Sequence, residues 1–224
     1  LLIRPDHYVV RMLVSQGLRY EDLGIAPRDG GPVETDMRAV WRRFAESYHL
    51  FRGTPTRLWM DHTFGTLFEL DEPLGPATAD AHFDRIATCL AEDAYRPCAL
   101  FERFGIELLA TTEGALDPLA HHAAIHASGW TGNVVTTYRP DSVCDPDHPD
   151  FARDLERLEA LVDIDLAGFD DYIEAHRVRR AHFRAHGAVA TDSGLPDART
   201  ADLPRAEVAA LYARVRRGEA GAEE

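Results

Sequence analysis

This sequence predicts an α/β fold with parallel strands, preceded by a largely helical first half, and three observations predict it. Short apolar runs at 106–111, 133–138 and 188–191 have the length and composition of buried strands. Each gives way to polar residues, Thr111-Thr112-Glu113, Tyr138-Arg139-Pro140-Asp141 and Thr191-Asp192-Ser193-Gly194, and then to a helical stretch. The β-α-β-α-β order that results demands right-handed crossovers and a parallel sheet. In a parallel α/β barrel the loops after the strands build the active site, so charged residues at three strand ends point to an enzyme.

Each element has its own signal. Asp6 and Pro5 offer a cap and a first turn for a helix from Tyr8 to Gln16. Gly30-Gly31-Pro32 breaks the chain, and Met37, Val40, Trp41, Phe44 and Tyr48 then recur at helical spacing. After Gly53-Thr54-Pro55 the helical pattern resumes from Leu58 to Leu70. A loop at 71–76 leads to Thr78 or Asp80, either of which caps a helix to about Ala91, and a shorter helix spans Pro97 to Phe104. In the second half, Asp117-Pro118 opens a helix to about Ala127. Further helices cover Phe151 to Val162, Phe169 to Ala185 with Gly187 as its stop, and a closing stretch from about Arg205. The division is thus a helical portion, 1–104, and a β/α portion, 105–224.

A chain of 224 residues with 45% hydrophobic content buries a substantial core. Its net charge of −14 argues against a nucleic-acid partner, and the basic cluster Arg177, Arg179 and Arg180 reads as a solvated helix face. No apolar run approaches the ~20 residues of a membrane span. Cys89, Cys98 and Cys144 form no paired or metal-binding spacing, as expected of reduced thiols in the cytoplasm. A first residue that is Leu, inside an apolar stretch, and an end in or just after a helix predict a piece of a longer protein.

Several residues carry chemistry, each with an ordinary structural reading beside it. Asp6-His7-Tyr8 sets an acid, an imidazole and a phenol before a helix, suited to proton transfer or simply to capping it. Arg139 suits capture of a carboxylate substrate, or a structural ion pair. Asp192 and Ser193 could move protons, hold sugar hydroxyls, or cap a helix, and Thr112 and Glu113 share that ambiguity. Trp59 and His62 share a helix face that lines a sugar pocket or packs in the core. His122 with His126, and His182 with His186, have zinc-chelating spacing but lie on outer helices, where solvated histidines are expected.

Taken together, these runs resemble the uronate isomerase (glucuronate isomerase) family of the amidohydrolase superfamily. The resemblance is carried by Arg4-Pro5-Asp6-His7-Tyr8 with Arg11-Met12, and by Gly53-Thr54-Pro55 leading to Trp59 and His62. It continues through Thr111-Thr112-Glu113 to His122, Asn133-Val134 to Tyr138-Arg139-Pro140-Asp141, and Thr191-Asp192-Ser193-Gly194-Leu195. It implies part of a (β/α)₈ TIM-like barrel of the amidohydrolase type, with the helical portion inserted among early strands. It implies interconversion of aldohexuronates and ketohexuronates by proton transfer between C2 and C1, on a small sugar acid, in a cytoplasmic enzyme that could be a homo-oligomer.

By the same resemblance His7, Tyr8 and Asp192 are catalytic, and Arg139, Trp59, His62 and Ser193 bind substrate. A divalent metal, zinc by this analogy, would be held by ligands outside the chain: a His-x-His before residue 1 and an aspartate beyond residue 224. Family members often carry histidine where Ser193 stands, a departure that points to a moved role or a divergent branch. Two other readings stand beside it, a metal-dependent hydrolase of the same superfamily and a truncated binding protein without catalysis.

Overall fold

A computed structural model of the chain describes residues 3–4, 6–195 and 200–219. Leu1, Leu2 and Pro5, read above as an apolar start and a first-turn proline, lie outside the described residues, as do residues 196–199 and 220–224. The chain divides into two compact units, Leu1–Leu100 and Phe101–Glu224.

The first unit is helical. Helix α1 (His7–Ser15) starts where the Asp6 carboxylate accepts from the amides of Tyr8 and Val9. Helix α2 (Met37–Ser47) buries Val40, Trp41 and Phe44, one helical stripe that continues into Tyr48 and Phe51 of a short 3₁₀ turn. Helix α3 (Pro55–Phe68) carries proline in its first turn and is capped where the Thr54 hydroxyl oxygen accepts from the Arg57 amide at 3.2 Å. It contributes Phe64 and Phe68 to the core.

The rings of Trp41, Tyr48 and Phe51 surround Phe44 with centroids 5.5, 5.3 and 5.7 Å away, an aromatic cluster at the centre of this unit. The Trp41 indole donates to the Ala79 carbonyl at 2.8 Å, which ties α2 to helix α4 (Ala79–Leu90). Thr78 stands at the start of α4, but its hydroxyl closes the preceding turn, accepting from Gly75 N and donating to Pro73 O, and does not cap the helix. Helix α5 is Pro97–Arg103.

The second unit holds a parallel pair of strands. Strands β1 (Leu109–Gly114) and β2 (Val134–Arg139) run in register, Thr111 beside Thr136 and Gly114 beside Arg139. Between them lies α6 (Ala120–Ala127), and after β2 come α7 (Asp141–Cys144), α8 (Phe151–Val162), α9 (Phe169–Ala185) and α10 (Arg205–Arg216). Strand alternation turns Val134, Thr136 and Tyr138 toward a buried layer and leaves Val135 and Thr137 half-buried and Arg139 exposed. Leu155, Leu158, Leu166, Ala175 and Phe183 complete the core.

The first strand starts three residues later than its apolar run, because Leu109 is the first residue to pair with β2, through its amide and the Asn133 carbonyl. Thr111-Thr112-Glu113 therefore lies inside β1, not after it. The third run, 188–191, does not form a full strand. Thr191 makes a single parallel bridge to Tyr138, supported by Tyr138 N to Ala190 O and Asp192 N to Tyr138 O, 3.2 and 3.0 Å. Val189 is 91% exposed, so the run lacks the two-sided burial that sustains a parallel strand.

The basic cluster is also not a solvated face throughout. Arg179 is buried and donates to the carbonyls of Ala115 and Asp117 at 2.7 and 2.8 Å, pinning the turn after β1. Burial lowers its proton affinity. Among the described residues no helix is long and apolar enough to cross a membrane.

Candidate active site

The two ends, that of β2 and that of the 188–191 run, meet in one ion cluster. Arg139, the last residue of β2, donates through Nε to Asp141 Oδ2 at 2.6 Å and through Nη1 to Asp192 Oδ2 at 3.2 Å. Asp141, the first residue of α7, also accepts the Gly194 amide on both oxygens, each at 3.1 Å. The hydrogen bond to Asp141, and then the charges of Asp141 and Asp192, raise the guanidinium's proton affinity further. Ser193 is exposed between Asp192 and Gly194. Among the described residues, these two bonds use two of the guanidinium's five N–H groups.

The local reason for this geometry is legible. Pro140 ends β2 pairing by removing a donor, and α7 begins at once, so Arg139 and Asp141 sit on one tight corner. Asp192 is brought alongside because its amide pairs with the Tyr138 carbonyl. Sequence reasoning named Arg139 and Asp192 but gave Asp141 and Gly194 no partner. The Arg-Pro-Asp spacing was a visible signal for the first, and nothing in the sequence marked the second.

Glu113 and Thr112 part company. Glu113 faces the helix side, where Thr136 Oγ1 hydrogen-bonds it and His122 Nε2 lies 3.8 Å away. His122 is buried, with Nε2 2.8 Å from Thr111 Oγ1, so the expectation of a solvated histidine fails there. These groups satisfy one another between β1 and α6 and form a structural layer. His126, on the same helix, is exposed. His186 bonds its own turn, Nδ1 to His182 O at 2.9 Å.

Behind Arg139 lies a polar pair that the sequence did not announce. The Tyr138 hydroxyl meets His176 Nδ1 at 2.7 Å in a buried setting, and His176 Nε2 is 3.8 Å from Cys144 Sγ, which accepts from the Tyr172 hydroxyl at 3.2 Å. Burial, and then the Arg180 charge, push His176 down to about 4, while burial pushes the Tyr138 phenol up. The phenol therefore stays protonated and donates to a neutral imidazole. A cavity of about 410 Å³ borders this layer, lined by Tyr138, Arg180, Phe183, Arg184 and residues 188–191, but not by Arg139.

The pH consequence has a definite sign. The unfolded His176 imidazole titrates near 6.5, so as the pH falls from 6.5 toward 4 the unfolded chain takes up a proton that the fold refuses. Stability present at and above pH 6.5 is lost over that window, by up to roughly 3 kcal/mol for this group. Urea midpoints measured between pH 4 and 7 should fall steeply in the wild type and less steeply in His176→Gln. Equal slopes would show that His176 does not govern the acid limb.

In the first unit, His7 and Tyr8 are exposed with ring centroids 4.1 Å apart. Asp6 caps α1 through Oδ1, which accepts both the Tyr8 and Val9 amides. Trp59 and His62 lie on the exposed face of α3, Trp59 66% exposed, which corrects the reading of that pair as core packing. Among the described residues no group of three His, Cys, Asp or Glu side chains is placed to hold a metal ion.

The family model for glucuronate isomerase matches residues 1–224. The chain belongs to the glucuronate isomerase family. It is 57% identical over 218 residues to the uronate isomerase of Mesorhizobium japonicum, covering 97% of this chain and 46% of that protein. With the uronate isomerase of Rhizobium meliloti it shares 54% over 224 residues, 100% of this chain and 48% of that one. This member of the family spans about half the length of the curated relatives it matches.

A crystal structure of glucuronate isomerase from Caulobacter crescentus superposes with a TM-score of 0.94 at 47% identity, over 100% of this chain and 46% of that one. The uronate isomerase structure from Thermotoga maritima, at 23% identity and a TM-score of 0.84 over 96% of the chain, shares the fold. The mixed α/β fold of this chain is thus shared with the matching parts of both structures.

Proposed function

We propose that the full gene product carrying this chain is a uronate isomerase that interconverts aldohexuronates and ketohexuronates, D-glucuronate with D-fructuronate and D-galacturonate with D-tagaturonate. Family membership supports the reaction. The observation that carries it to this chain is Arg139, a guanidinium at the C-terminal end of a parallel strand with N–H groups left for an anionic sugar. The same reading makes β1, β2 and the 188–191 run parts of a (β/α)₈ barrel whose early strands are separated by the helical portion.

The chemistry needs a base that removes the C2 proton and returns it to C1, while a proton passes from the C2 hydroxyl to the C1 oxygen. His7 and Tyr8 are assigned to that transfer and to holding the oxygens at C1 and C2. An imidazole titrates near neutral pH, and a phenol donates to a developing enediolate oxygen. Arg139 binds the sugar acid's carboxylate or hydroxyls, Asp192 belongs to the polar floor that handles protons, and Ser193, Trp59 and His62 contact the sugar.

The described residues do not fit a metal site, so no step here runs through one. The divalent metal that the family resemblance implies, zinc by that analogy, is assigned to ligands outside this chain. We further place the enzyme in the cytoplasm, with a small-molecule substrate and an assembly of identical subunits. The test is a coupled assay of the full gene product on D-glucuronate and D-galacturonate, with and without added zinc or manganese. Ketouronate formation is the expected outcome. Hydrolysis of esters or amides without uronate turnover would instead support a hydrolase of the same superfamily.

A further inference from the structure

We propose that Asp141 and Gly194 form a clamp that aims the Arg139 guanidinium at the substrate, with Asp141 a positioning residue for the isomerase. The inference rests on the functional reading above and extends it to two residues that reading does not use. The Asp141 carboxylate holds both sides of the corner: one oxygen takes Arg139 Nε at 2.6 Å, and both take the Gly194 amide at 3.1 Å. The shorter bond fixes the plane of the fork, and the longer one to Asp192, 3.2 Å, leaves that edge able to exchange for a ligand oxygen. Three charges, one positive and two negative, give the cluster a formal charge of −1. An anionic sugar therefore binds through directed N–H groups rather than through net attraction, and direction is what Asp141 supplies.

Gly194 makes the second half of the clamp. A Cβ added there would lie 2.9 Å from Arg139 Nη2 and 3.3 Å from Asp141 Oδ2. Both are ends of side chains, so the backbone would accept alanine, and the guanidinium would swing aside at little cost to stability. Glycine at 194 leaves room for the fork.

The variants separate geometry from charge and from folding. Asp141→Asn with its oxygen where Oδ2 stands keeps one acceptor for Arg139 Nε and the Gly194 amide, and loses the charge and the Oδ1 contact to Gly194. Asp141→Ala loses the clamp. Gly194→Ala keeps the clamp's groups and displaces their target. In the full gene product we expect KM for D-glucuronate to rise about tenfold or more in Asp141→Ala and Gly194→Ala with a much smaller change in kcat, and to stay within about threefold of wild type in Asp141→Asn. The melting temperature of Gly194→Ala should stay at the wild-type value.

A second readout needs no turnover: the Arg139 Nε–H NMR signal, assigned by its loss in Arg139→Ala, should be protected from exchange in wild type and Asp141→Asn and lost in Asp141→Ala. Unchanged KM in both alanine variants, or equal damage in Asp141→Asn, overturns the clamp, as does an unprotected Nε–H in wild type. A protected Nε–H in a protein with no uronate turnover upholds the clamp geometry but overturns the isomerase reading and the substrate role with it.

Discussion

Replacing Arg139 with alanine in the full gene product should lower kcat/KM for D-glucuronate by roughly a hundredfold, with most of the loss in KM. Truncating one partner of a hydrogen-bonded charge pair removes both the attraction and its geometry. Here it also leaves Asp141 and Asp192 facing each other without the cation that both now contact at 2.6 and 3.2 Å. Two carboxylates without their common cation repel an anionic substrate, so the loss exceeds that of the missing hydrogen bonds alone. Arg139→Lys restores charge but not the planar fork, and should recover only part of the affinity. Steady-state kinetics on the three proteins decide the matter. A wild-type KM in Arg139→Ala would remove the guanidinium from the substrate.

The second large effect is on stability. Phe44→Ala should cost about 3–5 kcal/mol, the range for emptying a large aromatic site in a well-packed core. Phe44 is fully buried, and Trp41, Tyr48 and Phe51 crowd it from three sides. These neighbours come from α2 and the turn that follows it, so they have little freedom to collapse into the space. Phe44→Leu refills part of the volume and should lose less. Trp59→Ala, on the exposed face of α3, should change stability by no more than about 0.5 kcal/mol. Urea midpoints of the three variants, followed by tryptophan fluorescence where Trp41 is retained, provide the measurement. A Phe44→Ala midpoint at the wild-type value would show that this cluster does not hold the unit together.

Helices were the most legible part of the fold, because their signals are local. The stripe Val40, Trp41, Phe44 and the cap at Asp6 act within one or two turns, and the structure places α1 and α2 where those signals put them. Strand limits were less legible, since pairing, not the apolar run, decides them. Leu109 begins β1 because its amide finds Asn133, and 188–191 stays a single bridge because only Thr191 pairs with Tyr138.

Polar partners across long stretches of chain were hardest to read. Arg139 and Asp192 stand 53 residues apart, as do Asp141 and Gly194, and His176 reaches Tyr138 across 38. Hydrophobic periodicity records which face a residue occupies, not which distant group it meets. Arg179 misled for the same reason. Its charge suggests solvent, yet two carbonyls of the turn after β1 satisfy it in the core.

On the proposed function, this chain belongs to an enzyme that moves a proton between two adjacent carbons of a sugar acid. The most direct test follows D-glucuronate and the full gene product in D₂O by proton NMR. A proton carried by a side-chain base exchanges with solvent, so ketouronate signals should grow with deuterium entering at C1. A spectrum in which the C2 proton persists and no ketouronate forms would contradict it.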